Sequence, residues 1–463
     1  MAGPSVVPML RLDGDPADTG ERWTPEQVLS LAPDDASRKA GARLSTAGPW
    51  SATGSDGAGA VWGLCKGSGG SPYRTVVDLT GPAYTCSCPS RKFPCKHALG
   101  LLLLWSRDST AAGGAAVPDW AAPWLTARRE RAAAGRPAAR TGAARAGGDT
   151  EAARKRAERR AARITAGATE LEQRLADLLR GGLAAAGRSG YGLWEETAAR
   201  MVDAQAPGLA SRVRELGAVP GSGAGWPPRL LEECALLHLL DTAWLGRDRL
   251  PEPLAVTVRT RVGLPSVADG ATVRDHWLIL SQDDTSDGRL ITRRIWLHGR
   301  DTGRSALLLS FGAAGRSPQL ALPVGLMAQA DVTSHGGAGQ LRAEIGDLLS
   351  VPVPIDAPPK GTDCAGATGL YARALRDDPW LEALPVTLSG VVPVPAGDGW
   401  QLADADGDDA LPVAPAVVSR PGLWRLVALA GGRPVTVFGE FGHQGFVPLT
   451  AWSDDPSETV PLI

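Results

Sequence analysis

The sequence predicts an α+β, multidomain chain. It has a small β-hairpin/helix domain near the N terminus, a helical middle region and a β-rich C-terminal half of small barrels or sandwiches. Three observations predict it. Cys86, Cys88, Cys95 and His97 fall in a C-x-C-x6-C-x-H pattern that opens a strongly apolar run. From Thr150 to Leu245 apolar residues recur at helical spacing, as at Ile164, Leu171, Leu175 and Leu178. From about residue 250 the period turns to alternation between glycine-bearing turns. At 463 residues the chain is too long for one core. The expected division is 1–125, with the finger at about 59–107, then a basic linker at 126–149, a helical region at 150–248 and the β-rich region at 249–463, with a helix near 368–384.

In chain order, residues 1–20 lack periodicity and read as a loose tail. Thr24-Pro-Glu-Gln27 is a helix start, with Thr24 as N-cap, Pro25 at the first helical position and Gln27 completing a capping box. Pro33-Asp-Asp-Ala36 begins a second short helix through Lys39, and the pair is expected to lie as a lid on the small domain. Residues 59–66 and 73–79 read as strands on their β-forming residues. The glycine-rich Gly67–Pro72 between them is a turn, since it lacks the lysine ending that a phosphate loop needs. Asp78 reads as a strand carboxylate and Cys65 as a small buried residue.

Thiolate and imidazole are the ligands Zn²⁺ prefers, and Cys86, Cys88, Cys95 and His97 supply four. Cys86 and Cys88 can point to one side of a strand end. Pro89, Ser90 and Pro94 punctuate the turn, and Cys95 with His97 would open a helix running to Trp105. The helix dipole, Arg91, Lys92 and Lys96 would offset the site's negative charge. Four protein ligands leave no place for water, so the reading is one structural zinc. A Cys86–Cys88 disulfide would be badly strained.

These residues resemble the SWIM-type zinc finger, which has C-x-C-x(n)-C-x-H ligands. The flanks Trp62–Ser68, Pro72-Tyr-Arg74, Cys95–Leu104 and Met201–Leu209 are similar to a bacterial SWIM-protein family. That resemblance covers most of the chain. It implies zinc binding at the four residues and contact with DNA or protein. It also implies an association with MoxR-type AAA+ ATPases and von Willebrand factor A proteins, near which the family tends to be encoded.

Past the finger, residues 108–119 read as a linker, with Trp120, Pro123 and Trp124 anchoring its far edge. Residues 126–148 are mostly Arg, Ala and Gly and read as disordered or loosely helical. The helix from Thr150 to Arg180 sets arginines opposite its leucine stripe. They could contact phosphate, but a solvated face is the plainer reading, and no aromatic residue between 125 and 190 is present for base stacking. Further helices are expected at Glu195–Gln205, Ala210–Leu216 and Arg229–Leu245. His238 in the last reads as a core histidine. Cys234, four residues earlier, could pair with it as a nucleophile or half a metal site, but no third group orients the pair.

Strands are expected at 254–262, 276–280, 290–297, 305–311, 385–394, 399–403, 423–430, 433–441 and 445–452. Asp283–Gly288 is a hairpin turn too short for a calcium loop, and Gly431-Gly432 suits another. Gly and Pro break the pattern over 335–358. Helix is expected at Thr368–Arg376, with Pro379–Leu384 adding a turn. His276, His298, His335 and His443 show no ligand spacing.

Composition is globular, with 43% hydrophobic and 21% charged residues. No run approaches a membrane span, and the N terminus does not fit a signal peptide. Scattered free thiols at Cys65, Cys234 and Cys364 suit a reducing, cytoplasmic setting. Residues 1–182 hold 25 Lys and Arg against 18 Asp and Glu, and the remainder 23 against 32. A basic front thus precedes an acidic back and can meet nucleic acid, an acidic protein or its own other half. With no metalloprotease, P-loop or dinucleotide fingerprint, the chain reads as a non-enzymatic interaction module. Protein adaptor comes first, nucleic-acid binder second, and an enzyme with an unrecognised C-terminal site third.

Overall fold

A computed structural model describes residues 22–463 except 68–69, 91, 108–113, 134–149, 184–189, 314–317, 319, 338, 340 and 454–457. The expected tail at 1–20, Arg91, most of the basic linker and part of the 108–119 linker lie outside the described residues.

The N-terminal module opens with α1 (Pro25–Ser30) and α2 (Asp35–Ala42). The capping box forms as expected. Thr24 Oγ1 accepts from Gln27 N at 3.2 Å, and Gln27 Oε1 accepts from Thr24 N at 2.8 Å. Instead of a two-stranded hairpin, the module carries a four-stranded antiparallel sheet in sequential order. Its strands are β1 (Trp50–Ser55), β2 (Ala60–Cys65), β3 (Tyr73–Asp78) and β4 (Ala83–Cys86). Helix α3 (Lys96–Arg107) lies on one face. The close approach of α2 to α3 needs glycine on both sides. A Cβ on Gly41 would come within 2.7 Å of Leu99 Cβ, and one on Gly100 within 2.5 Å of Leu44 Cβ. Helix α4 (Ala122–Ala133) occupies the start of the expected linker. It packs Ala121 and Leu125 on Trp62 and Val76, fastened by the Arg128–Asp78 and Arg129–Asp56 ion pairs.

The middle region is a bundle of α5 (Thr150–Gly181), α6 (Gly190–Asp203), α7 (Pro207–Ala218), α8 (Trp226–Leu245) and α9 (Glu252–Arg261). Ile164, Leu171 and Leu175 are buried on the α5 stripe, against Trp194, Met201, Val213, Leu237 and Trp244. Helix α9 corrects an expectation, because residues 254–262 read as a strand from their Val and Thr content. Their β propensity is outweighed by position. Val258 and Val262, one turn apart, both face the bundle core, and Pro251 and Pro253 suit a helix start. The helical region therefore extends past 248, and the first strand of the β-rich region starts at Thr272 rather than 249.

Strands β5 (Thr272–Ser286), β6 (Leu290–Gly299), β7 (Ser305–Ala313), β8 (Leu326–Ser334), β9 (Arg342–Leu348) and β10 (Val353–Pro354) form the second sheet. Its order is β10-β8-β5-β6-β7-β9, and β9 also pairs with β8, so the sheet closes into a small barrel. Two of those strands, β9 and β10, lie in the 335–358 stretch expected to break the pattern.

Helix α10 (Cys364–Asp377) is capped by Asp363, which accepts from Gly366 N. The helix ends there, and 379–384 does not extend it. Trp380 leaves the turn for the bundle, and β11 begins at Ala383. The third sheet is antiparallel, in the order β13-β12-β11-β14-β15-β16. It comprises β11 (Ala383–Ala396), β12 (Gly399–Asp404), β13 (Ala410–Pro412), β14 (Val435–Gly442), β15 (Gly445–Trp452) and β16 (Thr459–Pro461). Short α11 (Pro415–Val418) and α12 (Pro421–Ala430) cross it. The expected strand at 423–430 is thus helix. Leu423, Leu426 and Ala430 form its buried face, and Gly431, at φ 54°, is a left-handed C-cap rather than a hairpin turn.

The cores join unevenly. Trp23, Val28, Leu31, Leu99, Leu102 and Leu103 of the N-terminal module share one core with Trp277, Ile279, Leu297 and Leu326 of the barrel. Trp23 Nε1 donates to Pro352 O at 2.9 Å. Helix α1, expected as a lid on the small domain, therefore also caps the barrel. Alternate residues Leu278 and Leu280 face the other way, with Trp296, onto Phe438, Leu449 and Trp452 of the third sheet. The bundle keeps its own core, entered from outside by Trp380, whose Nε1 donates to Leu236 O at 2.9 Å.

Candidate metal centre

Strand β4 ends at Cys86, hydrogen-bonded in register with Thr75 of β3. Cys88 lies two residues beyond. Cys95 stands just before α3, where its carbonyl accepts from Leu99 N at 3.0 Å, and His97 is in the first helical turn. The donor atoms of Cys86, Cys88, Cys95 and His97 all lie within 4.8 Å of one another. A tetrahedral zinc with ordinary bond lengths sets its sulfur and nitrogen ligands about 3.6 Å apart. Cys86 Sγ and His97 Nδ1 are 3.7 Å apart. Cys95 and His97 are buried, Cys86 and Cys88 half-buried. Tyr73 covers the His97 ring at a centroid distance of 4.8 Å.

The electrostatics suit a cation. The Cys95 thiol hydrogen-bonds Cys86 and, with His97 and Thr75, holds the Cys86 thiol far below its usual range despite burial. The same contact, together with burial, pushes Cys95 up. Burial also raises Cys88. Three thiols crowded around one negative charge form a donor set that a divalent cation would complete, deprotonating all three. These four residues would hold Zn²⁺, and its chemistry here is structural, since the protein fills the coordination shell. The α3 N-terminus adds favourable potential, as expected. Lys92 contributes less than expected, since its Nζ pairs with Asp34 at 2.5 Å.

The other sequence candidates separate. His238 is not a core residue. Its side chain is 59% exposed and its Nδ1 meets Glu172 Oε2 at 2.6 Å, whereas Cys234 is buried, so the two form no working pair. Cys65, Cys234 and Cys364 are free and buried. Sequence reading missed the grouping of Asp275, His276 and Asp301, whose donor atoms also converge. No spacing signals it. Asp275 is already committed to the main chain, accepting from the amides of His276, Asp301 and Thr302 and from the Thr302 hydroxyl. It builds a turn.

A closed Cys3His knuckle at the head of a helix, beside a separate helical bundle, defines a zinc-finger protein with an appended helical domain. Comparison with known families agrees. Residues 73–105, which contain all four ligands, match the SWIM zinc finger, and residues 159–262 match the SWIM-associated four-helix bundle domain. The second match ends at Val262, on the far side of α9. The SWIM finger implies Zn²⁺ and a module of protein or nucleic-acid interaction. No curated protein and no solved structure matches the chain. Among the described residues no helix is long and apolar enough to cross a membrane.

Proposed function

We propose that this chain is a non-enzymatic, zinc-dependent adaptor that binds protein partners within an AAA+ ATPase system. One observation carries protein over nucleic acid, namely what the cations of the basic front already touch. On α5, Lys155 pairs with Glu151, Arg154 with Glu158, Arg174 with Glu170 and Glu196, and Arg180 with Asp177. In the N-terminal module Arg128, Arg129 and Lys92 each meet an aspartate. Exposed pairs add little stability, but each one engages a cation that could otherwise meet a phosphate. The filled zinc shell speaks against catalysis at the metal. The resemblance to a family encoded beside MoxR-type ATPases and von Willebrand factor A proteins supplies the partner class.

A second reading, nucleic-acid binding by the finger, is favoured by Phe93. It is 43% exposed on the knuckle's outer turn, between Lys92 and Lys96 in sequence. An exposed ring beside cations suits stacking on a base.

The experiment is binding of the zinc-loaded full chain to a purified MoxR-type AAA+ ATPase and, separately, to labelled oligonucleotides across a salt series. A complex with the ATPase that survives nuclease and disappears with Cys88→Ser supports the adaptor. No such complex, with oligonucleotide binding that falls about one log unit per log unit of salt for each phosphate contacted, transfers the function to the second reading.

A further inference from the structure

We propose that a cavity of the helical bundle, between α5, α8 and α9, binds a small nucleotide through a set of arginines. The cavity measures about 470 Å³, within the range of small-molecule sites. Arg156, Arg160, Arg247 and Arg259 line it. Among the described residues the only acid on its wall is Glu158, which is paired with Arg154. Each arginine taken singly has an ordinary place. Arg259 is in the last turn of α9, and Arg247 follows the end of α8, where a cation offsets the helix dipole. Arg156 and Arg160 stand four apart on α5 and so share a face. Gathered on one cavity, the four repel one another until an anion arrives.

Two of these guanidinium groups are held in place by main-chain oxygens. Arg160 Nη2 donates to Gln205 O at 3.4 Å and to Gly263 O at 3.3 Å, which ties it to the turns after α6 and α9. Arg247 Nη1 donates to Trp244 O at 3.0 Å, and its guanidinium lies 4.4 Å from the Trp244 ring centre. Trp244 is itself buried, with Nε1 on Thr165 Oγ1 at 3.2 Å. Among the described residues no carboxylate pairs with Arg160, Arg247 or Arg259. Their neighbours differ. Arg154 and Lys155 on α5 and Arg261 on α9 each have a carboxylate partner. The cations left without one are those on the cavity. Guanidinium forks match phosphate oxygens two at a time, and several together favour a group with more than one charge. A lone carboxylate would occupy one fork and leave the rest facing one another. The guanidinium stacked on Trp244 has a second face for a planar ring. Ala157, Ala161 and Leu264 give the remaining wall an apolar surface. A diphosphate joined to a base uses all of these features.

The test is equilibrium dialysis of the zinc-loaded full chain against labelled ADP, repeated with inorganic pyrophosphate. The expected result is one ADP per chain, bound about tenfold or more tighter than pyrophosphate, and weakened about tenfold or more by Arg259→Gln and by Arg247→Gln. Arg259→Gln changes an exposed side chain and keeps the test open if Arg247→Gln disturbs the packing on Trp244. Arg180→Gln, at the far end of α5 and paired with Asp177, should change ADP binding by less than about twofold. Absence of saturable ADP binding, binding that neither cavity variant weakens, or binding that Arg180→Gln weakens as much, overturns the proposal. So does pyrophosphate that binds as tightly as ADP, which would identify an anion site with no place for the base.

Discussion

The N-terminal module and the helical bundle attach to the rest of the chain in opposite ways. The module shares its main core, since Trp23, Leu31, Leu99 and Leu103 belong to the apolar cluster that fills the barrel, and keeps to itself only the small cluster of Trp62, Val76 and Leu125 under α4. The bundle encloses its own core and accepts one foreign side chain, Trp380, flanked by the Arg261–Asp378 ion pair. Damage to the first should spread, and damage to the second should stay local.

Zinc removal should separate the two most sharply. Chelation or Cys88→Ser is expected to cost several kcal/mol, because structural zinc contributes folding energy outright. The loss should reach beyond β1–α3 into the barrel. Amide exchange at Trp277 and Ile279 should rise with that at Val76 and Leu102, while Leu171 and Leu237 stay protected. Barrel protection that survives chelation would break the comparison.

Trp380→Ala should cost about 3–5 kcal/mol, as for large aromatic truncations in cores. Its effect should be confined to bundle docking, seen as faster proteolysis near residues 377–383 with zinc content unchanged. Zinc loss in that variant would show the two regions to be coupled after all.

Gly100→Ala sets a Cβ against Leu44 Cβ. Overpacking of about 1–3 kcal/mol, partly offset by alanine's helix preference, should lower the midpoint of thermal unfolding. Thr24→Ala removes the capping box and should cost about 1 kcal/mol, read in the same melt. Because α1 is the module's bridge to the barrel, that loss should also raise exchange at Trp277.

The smallest effect is a pH dependence. Burial holds the His335 pKa below its usual 6.5, with Arg342 adding to the shift. The unfolded chain therefore takes up the proton first, and stability should fall as pH drops below about 6.5. His335→Gln should flatten that limb of a stability–pH curve measured by urea denaturation.

The metal centre was legible because its ligands sit within one short stretch and their chemistry is distinctive, so sequence spacing stands in for spatial spacing. The α1 start was legible for the same reason, since a capping box is a local device. The misreadings share another cause. Residues 254–262 and 423–430 carry apolar residues that fit either period, and only the surface that buries Val258 or Leu426 decides. Strand β1, Trp50–Ser55, is Ser, Ala, Thr and Gly between its ends and has little local preference for a strand. Pairing with β2 makes it one. The juxtaposition of Glu172 with His238 spans 66 residues and depends on how two helices align, which no local pattern records.

The bond from Trp23 to Pro352 spans 329 residues. A ribosome adding about 5–20 residues per second needs roughly 15–65 s to cover that gap. Throughout that interval the newborn module has an apolar face and nothing to set it against. The knuckle from Cys86 to His97 needs no such wait and can load its ion soon after emerging. The metal then holds β4 and α3 in place until the barrel arrives, so a shortage of zinc should appear first as aggregation or degradation of half-made chains and only later as loss of finished protein.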